Sequence, residues 1–462
     1  MSLNFKALLI AAVSISSFCS SFMSSSLNIA VAAISSEYHI SPELLTYAVS
    51  AYVIAITAFL LPAASLANRL GFRRTYRIGT FTASATAAVA ALMPEFSLFV
   101  TVRFVQGLFN ALIFSTGIAL LSYHTEGRQR GSAIGINVAA VYAGITLSPS
   151  LGGVLTDMCG WQSLFFISSA GYLLAFFGTL RTPHDSPTSR QLPYFKCLVS
   201  SLSLLALLYG LTVMFDKEWG KYLAAGGALA FSGYLYRERR SRAPLLPVTR
   251  IYANKPLFYA IASALFNYLT TFCTALLLSM HFQLIGGLSA THTGLILMLQ
   301  PALQCLLSPL AGRLTATLNP HLLVTCGMLS STLAMAMLIF LYPGTPLYYI
   351  LAAQILGGLG YALFSAPNTT IIMNSVQRAD FALAASLQSL ARNLGMSLAT
   401  VLLTCVFLLY INASPDSTLY LYELNFSTSR SFALATLMGI LGVLTCILGF
   451  DRHDKTLKSD TA

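Results

Sequence analysis

Charge is what this chain has least of. Charged side chains make up 9% of its 462 residues, against roughly 25% in a soluble domain, so it cannot clothe an ordinary water-facing surface. Acidic residues are the scarcer sign, 15 Asp and Glu against 26 Lys and Arg, and all of them fall between apolar runs or at their ends. The eight cysteines (Cys19, Cys159, Cys197, Cys273, Cys305, Cys326, Cys405, Cys446) are scattered, mostly inside apolar runs, with no CxxC pair and no Cys/His cluster. They offer no metal spacing and read as small buried hydrophobes. The seven histidines stand in loops or at run ends, which supports neither a zinc site nor a catalytic histidine within the membrane. Extended polar segments are missing too. The longest connections, 181–194, 237–255 and 412–429, stay under twenty residues, so an active site outside the membrane has nowhere to sit and no cofactor is implied.

What is present is apolar sequence, 56% of the chain. Backbone groups in hydrocarbon must be satisfied within their own segment, so long apolar runs mean helices. The ~10-residue alternating segments of a β-barrel are not visible. Runs near the ~20 residues needed to span a bilayer lie at 7–29, 44–67, 75–93, 97–121, 131–155, 161–180, 195–214, 219–236, 256–280, 289–312, 320–342, 347–374, 384–411 and 430–450. The expectation is fourteen transmembrane helices. The first run is too long for a signal-peptide core and no A-x-A site follows it, so it is expected to be retained.

The net charge of +11 would raise nucleic acid in a soluble protein, but its distribution answers the question. Even-numbered connections carry Arg69, Arg73, Arg74 and Arg77, then Arg128 and Arg130, then Arg181, Arg190 and Lys196. Arg237, Arg239, Arg240, Arg242, Arg250 and Lys255 follow, and then Arg313 and Arg378. With Lys6 and the terminal Arg452, Lys455 and Lys458, that side holds 21 of the 26 basic residues. Odd-numbered connections hold Lys217, Lys221 and Arg430, and Arg103 and Arg392 stand inside spans. This is the positive-inside pattern, and it places both termini in the cytoplasm. No basic face interleaved with aromatics could track a phosphate backbone.

Several motifs go further. Arg103-Phe-Val-Gln106-Gly107 in span four resembles the RxxQG motif of major facilitator antiporters. Gly144-Ile-Thr-Leu-Ser-Pro149-Ser-Leu-Gly152-Gly153 in span five resembles their antiporter motif ending in GPxxGG, and it continues through Asp157 to Gly160-Trp161 as in fourteen-span drug:proton antiporters. Leu66-Ala-Asn68-Arg69-Leu-Gly71-Phe72-Arg73-Arg74 is similar to the facilitator signature LADRxGRR. Past the middle, Arg237-Glu-Arg-Arg with Pro244-Leu-Leu-Pro247 resembles the family's linker, and Ser308-Pro309-Leu-Ala-Gly312-Arg313 the end of its tenth span. Gly357-Gly-Leu-Gly360 with Pro367, and Ala391-Arg392-Asn393-Leu-Gly395, resemble spans twelve and thirteen. The resemblance covers nearly the whole chain. It implies an all-helical major facilitator fold: six-helix bundles at 1–180 and 256–450, two extra helices within 181–255, and a cytoplasmic tail at 451–462.

Arg103 lies about 9 Å into its span at 1.5 Å per residue, where an arginine costs at least ~2.5 kcal/mol. By resemblance it tunes proton release or binds anionic groups, while the bland account is a structural arginine snorkelling to helix-end carbonyls. Gln106, one turn on, shares its face, and Gly107 completes that motif. Ala140, Gly144, Ser148 and Gly152 form a stripe of small residues that lets helices approach closely, and Pro149 removes a helix hydrogen bond. The resemblance sets this helix at the interface of the two bundles. The loop Asn68, Arg69, Gly71, Arg73 and Arg74 is an inner gate by resemblance, or a topology signal otherwise. It departs from the family where Asn68 and Phe72 replace Asp and Arg, and Ala316 stands at the acidic position of the second-half loop. Asn68 retains the ability to cap a helix.

Proton antiport needs a titrating group within the membrane, yet Met23-Ser-Ser-Ser-Leu-Asn28 in span one has no acid. Asp157, near the end of span five, is the deepest candidate and a partner for Arg103, or else a solvated turn residue; Glu37 and Glu43 are read as outer-loop residues. Polar groups at membrane depth, Asn28, Asn110, Asn267, Gln300, Gln304, Gln354, Asn368 and Arg392, are the candidate cavity. The absent buried acid disfavours strongly cationic drugs and suits neutral, amphipathic or anionic substrates. The expectation is a monomeric, proton-coupled exporter of small amphipathic compounds in a bacterial cytoplasmic membrane. Rivals are a facilitator for a defined metabolite, lipid or organic anion, an uncoupled exporter, and a non-transporting membrane sensor.

Overall fold

The computed structural model describes residues 2–460 apart from 42–43, 126, 184–192, 215–216, 242–243, 245, 247, 316, 377–380 and 415–416. Glu43, Arg190, Arg242, Ala316 and Arg378 lie outside the described residues, as do the side chains of Arg128, Arg130, Arg250, Arg313, Arg452, Lys455 and Lys458. The described residues form helices joined by short turns. The chain divides into two compact units: Met1–Tyr234 with Gly287–Met298, and Leu235–Gly286 with Leu299–Ala462.

Unit 1 begins with α1 (Ser2–Ser26), α2 (Val31–Tyr38), α3 (Leu45–Leu70) and α4 (Phe72–Ala90). It continues with α5 (Phe96–His124), α6 (Gly127–Cys159), α7 (Gln162–Gly178), α8 (Tyr194–Val213) and most of α9 (Glu218–Arg239). Its core gathers Leu9, Val13, Tyr76, Ile113, Leu120 and Tyr172 from α1, α4, α5 and α7. Close crossings are made possible by missing side chains: a Cβ on Gly107 of α5 would fall on the Tyr52 carbonyl oxygen of α3 and 2.9 Å from Ala55 Cβ. The tenth apolar run contributes α13 (Ala290–Leu297), which packs on α6 within the same unit.

Unit 2 holds α10 (Val248–Ala253), α11 (Lys255–Thr271), α12 (Thr274–Met280) and a π-helical turn at His281–Ile285. After these come α14 (Leu299–Leu314), α15 (Pro320–Leu338), α16 (Leu347–Asn374), α17 (Phe381–Tyr410) and α18 (Thr418–Asp460). Asn254 and Asn319 cap α11 and α15 by accepting from Leu257 N–H (3.1 Å) and His321 N–H (2.9 Å), satisfying donors that a helix start leaves open. Leu257, Val324, Met328, Phe364, Ile372 and Cys446 form its core.

Twelve of the expected apolar runs each coincide with one helix, and the ninth and tenth are each shared by two consecutive helices. Among the described residues, eleven helices are long and apolar enough to cross a membrane, and Gln162–Gly178 is a shorter apolar helix. Leu174 (62% exposed) and Leu306 (73% exposed) lie outward on theirs, an arrangement that suits lipid and not water.

Several expectations need correction. Residues 412–429 are not a loop throughout, because α18 starts at Thr418, where Ser417 Oγ accepts from the Tyr420 N–H (3.2 Å). Asn68 caps nothing: it lies exposed in the last turn of α3, and Gly71, at φ 89°, passes directly into α4. The tenth span, Ala290–Gly312, stands as expected but carries a turn at Met298. The ninth helix continues beyond residue 280 through the π-turn to Ile285, so His281 stands near the end of that candidate span, as expected, but is buried there. Polarity ended the apolar run there, but a helix needs only its own hydrogen bonds to continue.

Candidate functional site

In unit 1 the α5 residues Arg103, Gln106 and Asn110 stand on one face, as spacings of three and four require, and all are at most 1% exposed. Arg103 Nη1 donates to Gln106 Oε1 (2.6 Å). The guanidinium lies 4.2 Å from the Tyr52 ring centroid of α3 and 5.7 Å from Phe165 of α7. No carboxylate pairs with it among the described residues. Arg103 Nε, Gln106 Nε2 and the Tyr52 hydroxyl have no hydrogen-bond partner. A buried polar group without a partner costs ~1–3 kcal/mol, so this is a cluster of unmet polar groups around an uncompensated cation.

Asn110 behaves differently. Its Nδ2 donates to the Gln106 carbonyl (3.0 Å), and its Oδ1 accepts from Ser20 (3.0 Å) and Tyr172 (3.1 Å). It ties α5 to α1 and α7, which is a structural use of a residue expected in a cavity. Asn28 is 5% exposed with an unmet Oδ1.

Asp157 does not meet Arg103. Its Oδ2 accepts from the Thr291 N–H (2.8 Å) and hydroxyl (2.6 Å) at the start of α13, where a carboxylate complements the helix dipole. Below this clasp α6 and α13 touch backbone to backbone: Cβ atoms added to Gly153 or Gly294 would collide with the Ala290 or Pro149 carbonyls. The small-residue stripe faces elsewhere, onto α1. A Cβ on Gly144 would lie 2.6 Å from the Phe18 carbonyl oxygen, one on Gly152 3.1 Å from Ser26 Cβ, and Ser148 Oγ donates to the Phe22 carbonyl (3.2 Å). One helix thus uses two edges, the small-residue stripe against α1 and Gly153 against α13.

Glu37 is no loop residue. It sits on α2, where its carboxylate accepts from Trp161 Nε1 (2.7 Å) and Gln162 Nε2 (2.8 Å). Trp161 in turn packs against Phe99 and Phe165, so ring contacts lead from Glu37 to Arg103. Tyr52, Phe165 and Trp161 were missed as site residues because nothing in a single sequence marks one aromatic among many. In the Asn68–Arg74 segment, Arg69 bonds the Tyr194 hydroxyl of α8, with its guanidinium 5.4 Å from that ring. Arg74 is exposed and Arg73 half-buried.

In unit 2, Asn368 donates to the Ala260 carbonyl (3.1 Å) and accepts from Ser263 (3.3 Å). Asn267 Nδ2 meets Met328 Sδ at 3.5 Å, leaving its Oδ1 unmet. Gln354 of α16 is 2% exposed with neither amide atom partnered. Gln300 of α14 is half-buried beside Gly357, where a Cβ would lie 3.4 Å from its Nε2, and Gln304 is buried. Arg392 is half-buried on α17, and Gly395, one turn on, lies close to the Leu265 carbonyl of α11. No group of three or more His, Cys, Asp or Glu side chains gathers among the described residues.

Eleven helices long and apolar enough to cross a membrane, among the described residues, make this a multi-pass membrane protein. The chain belongs to the Major Facilitator Superfamily, whose model matches residues 13–400 and 260–460. It is 27% identical over 397 residues to the multidrug resistance protein Stp of Mycobacterium tuberculosis, covering 84% of this chain and 73% of that one. It is 22% identical over 443 residues to the riboflavin transporter RibZ of Clostridioides difficile, covering 95% and 96%. The tetracenomycin C resistance and export protein of Streptomyces glaucescens is 26% identical over 385 residues, with 81% and 71% covered. Among solved structures, a peptide transporter POT superposes with a TM-score of 0.69 at 15% identity, covering 96% and 95% of the two chains. That likeness is one of fold.

Proposed function

We propose that this chain exports small amphipathic compounds, neutral or anionic, by alternating access in a bacterial cytoplasmic membrane, and that proton entry drives it. The observation that carries the substrate class is the enclosed Arg103, held by rings and an amide and not by a carboxylate, with Gln106 Nε2 unmet beside it. A cationic drug meets repulsion there, whereas a carbonyl, hydroxyl or carboxylate supplies the missing acceptor. Drug-export relatives support the broad reading. The near full-length similarity to a riboflavin transporter supports a second one, a carrier for one defined metabolite. Accumulation assays in cells with and without the protein, on a panel of riboflavin, puromycin, tetracenomycin C and a quaternary ammonium dye, separate the two. Export confined to the cationic dye sinks the substrate assignment.

The reading includes fourteen spans with cytoplasmic termini: bundles at 1–180 and 256–450, two added helices within 181–255, and a tail at 451–462. Asn68, Arg69, Gly71, Arg73 and Arg74 form an inner gate without its usual acid. Asp157 enters coupling through its clasp on Thr291 and not through Arg103. Asn267, Gln300, Gln304 and Gln354 supply polar contacts to substrate, and Arg392 a second cation. In everted vesicles, collapse of the pH gradient abolishes uptake on this account; undiminished uptake would leave an uncoupled exporter.

A further inference from the structure

The ninth span ends in an unusual way. α12 passes at Met280 into the π-turn His281–Ile285, which closes when Gly286 N–H bonds back to the His281 carbonyl (2.9 Å). π-turns are rare and are frequently found at functional sites. His281 is 6% exposed, and its Nδ1 has no hydrogen-bond partner. Its ring meets Phe282 edge-on at 5.8 Å. The nearby amide does not serve it, since Gln283 Nε2 donates to Ser279 Oγ (2.6 Å).

The turn packs against α12 and α18. Cys273, two turns back at the start of α12, is the titratable group on that side. On the adjoining stretch of α18 the charged groups are Glu423 and Arg430, and both are engaged. Glu423 accepts from the N–H groups of Asn412 (2.7 Å) and Ala413 (2.8 Å), and the Arg430 guanidinium lies 4.6 Å from the Phe426 ring centroid. The phenols of Tyr420 and Tyr422 complete that stretch. A small cavity of about 30 Å³, room for a water or two, lies alongside, lined by Cys273, Thr274 and Leu277 with Val406 of α17 and Ser431 and Phe432 of α18. Residues 273, 277 and 281 repeat every four, so they share a helix face. His281 stands one turn beyond the cavity wall.

We propose that His281 is a proton site of the transport cycle, taking a proton from water when this cavity is wet and returning it when the cavity is dry. Imidazole is the side chain whose charge ordinarily changes between pH 5 and 8, and it is enclosed in a span whose sequence, like the others, carries no mid-membrane acid. The proposal rests on the proton-coupled reading above and supplies the titrating group that reading lacks.

The test uses the full chain in proteoliposomes. Alkylation of Cys273 by N-ethylmaleimide is followed by peptide mass spectrometry at about pH 5.5 and about pH 8, on either side of the imidazole range. The ratio of wild-type to His281→Gln rates removes the thiol's own pH dependence. The expected result is a several-fold change in that ratio between the two pH values. A flat ratio overturns the proposal. So does a wild-type rate that, normalised to exposed Cys326, is the same at both pH values, a readout that stands even if the variant misfolds. Transport indifferent to a pH gradient, with His281-dependent labelling intact, leaves the proton site and removes the coupling reading.

Discussion

Replacing Arg103 and Gln106 together by leucine separates function from stability. The guanidinium on the Tyr52 ring contributes about 2 kcal/mol when desolvated, and its bond to Gln106 about 1.5–3 kcal/mol. Against this stand at least ~2.5 kcal/mol for an arginine at membrane depth and ~1–3 kcal/mol for each unmet polar atom. The two sides balance to within a few kcal/mol, with the native pair the less stable arrangement. Asn110 is undisturbed, because it bonds the Gln106 backbone and not its side chain. The expected outcome is therefore an unchanged or higher unfolding midpoint with transport lost. The assay is thermal unfolding followed by tryptophan fluorescence, which reports unit 1 because Trp161 and Trp219 both lie there. A fall worth more than about 2 kcal/mol, with transport declining only as folded protein is lost, would show that Arg103 is structural and refute the reasoning.

Three further outcomes follow from the geometry. Gly294→Val forces α13 off the Pro149 carbonyl and should abolish transport with near-normal insertion; full activity would mean the α6–α13 contact is not part of the cycle. Asp157→Ala removes both bonds to Thr291, whereas Asp157→Asn keeps an acceptor, so the alanine variant should lose more transport, and equal losses would point to the charge itself. Glu37→Ala frees the Trp161 indole N–H and should lower stability by about 1.5–3 kcal/mol with a red-shifted emission; unaltered emission would deny that the bond holds in solution.

Much of this fold is legible in the sequence, because lipid imposes one solution on long apolar runs. Helix positions, the shared face of Arg103 and Gln106 and the inward facing of buried amides all follow from spacing. What escapes is whatever depends on neighbours. Asn110 and Gln354 look alike in sequence, yet Ser20 and Tyr172 satisfy one and nothing satisfies the other. Glu37 reads as a loop acid because α2 is too short to show a period. His281 stands near a span end as its sequence suggests, but the π-turn that carries the backbone on to Ile285 leaves no mark in the pattern.

The most direct test of the account is transport by the purified protein alone. Proteoliposomes loaded with riboflavin or another panel compound, with a pH gradient imposed by dilution, are compared with liposomes bearing the Arg103→Lys variant, which keeps the charge but not the planar stack on Tyr52. The account predicts gradient-driven movement of a neutral or anionic amphiphile by the wild type and its loss in the variant. Equal movement by both, or none for any neutral or anionic compound while a cation is carried, would contradict it.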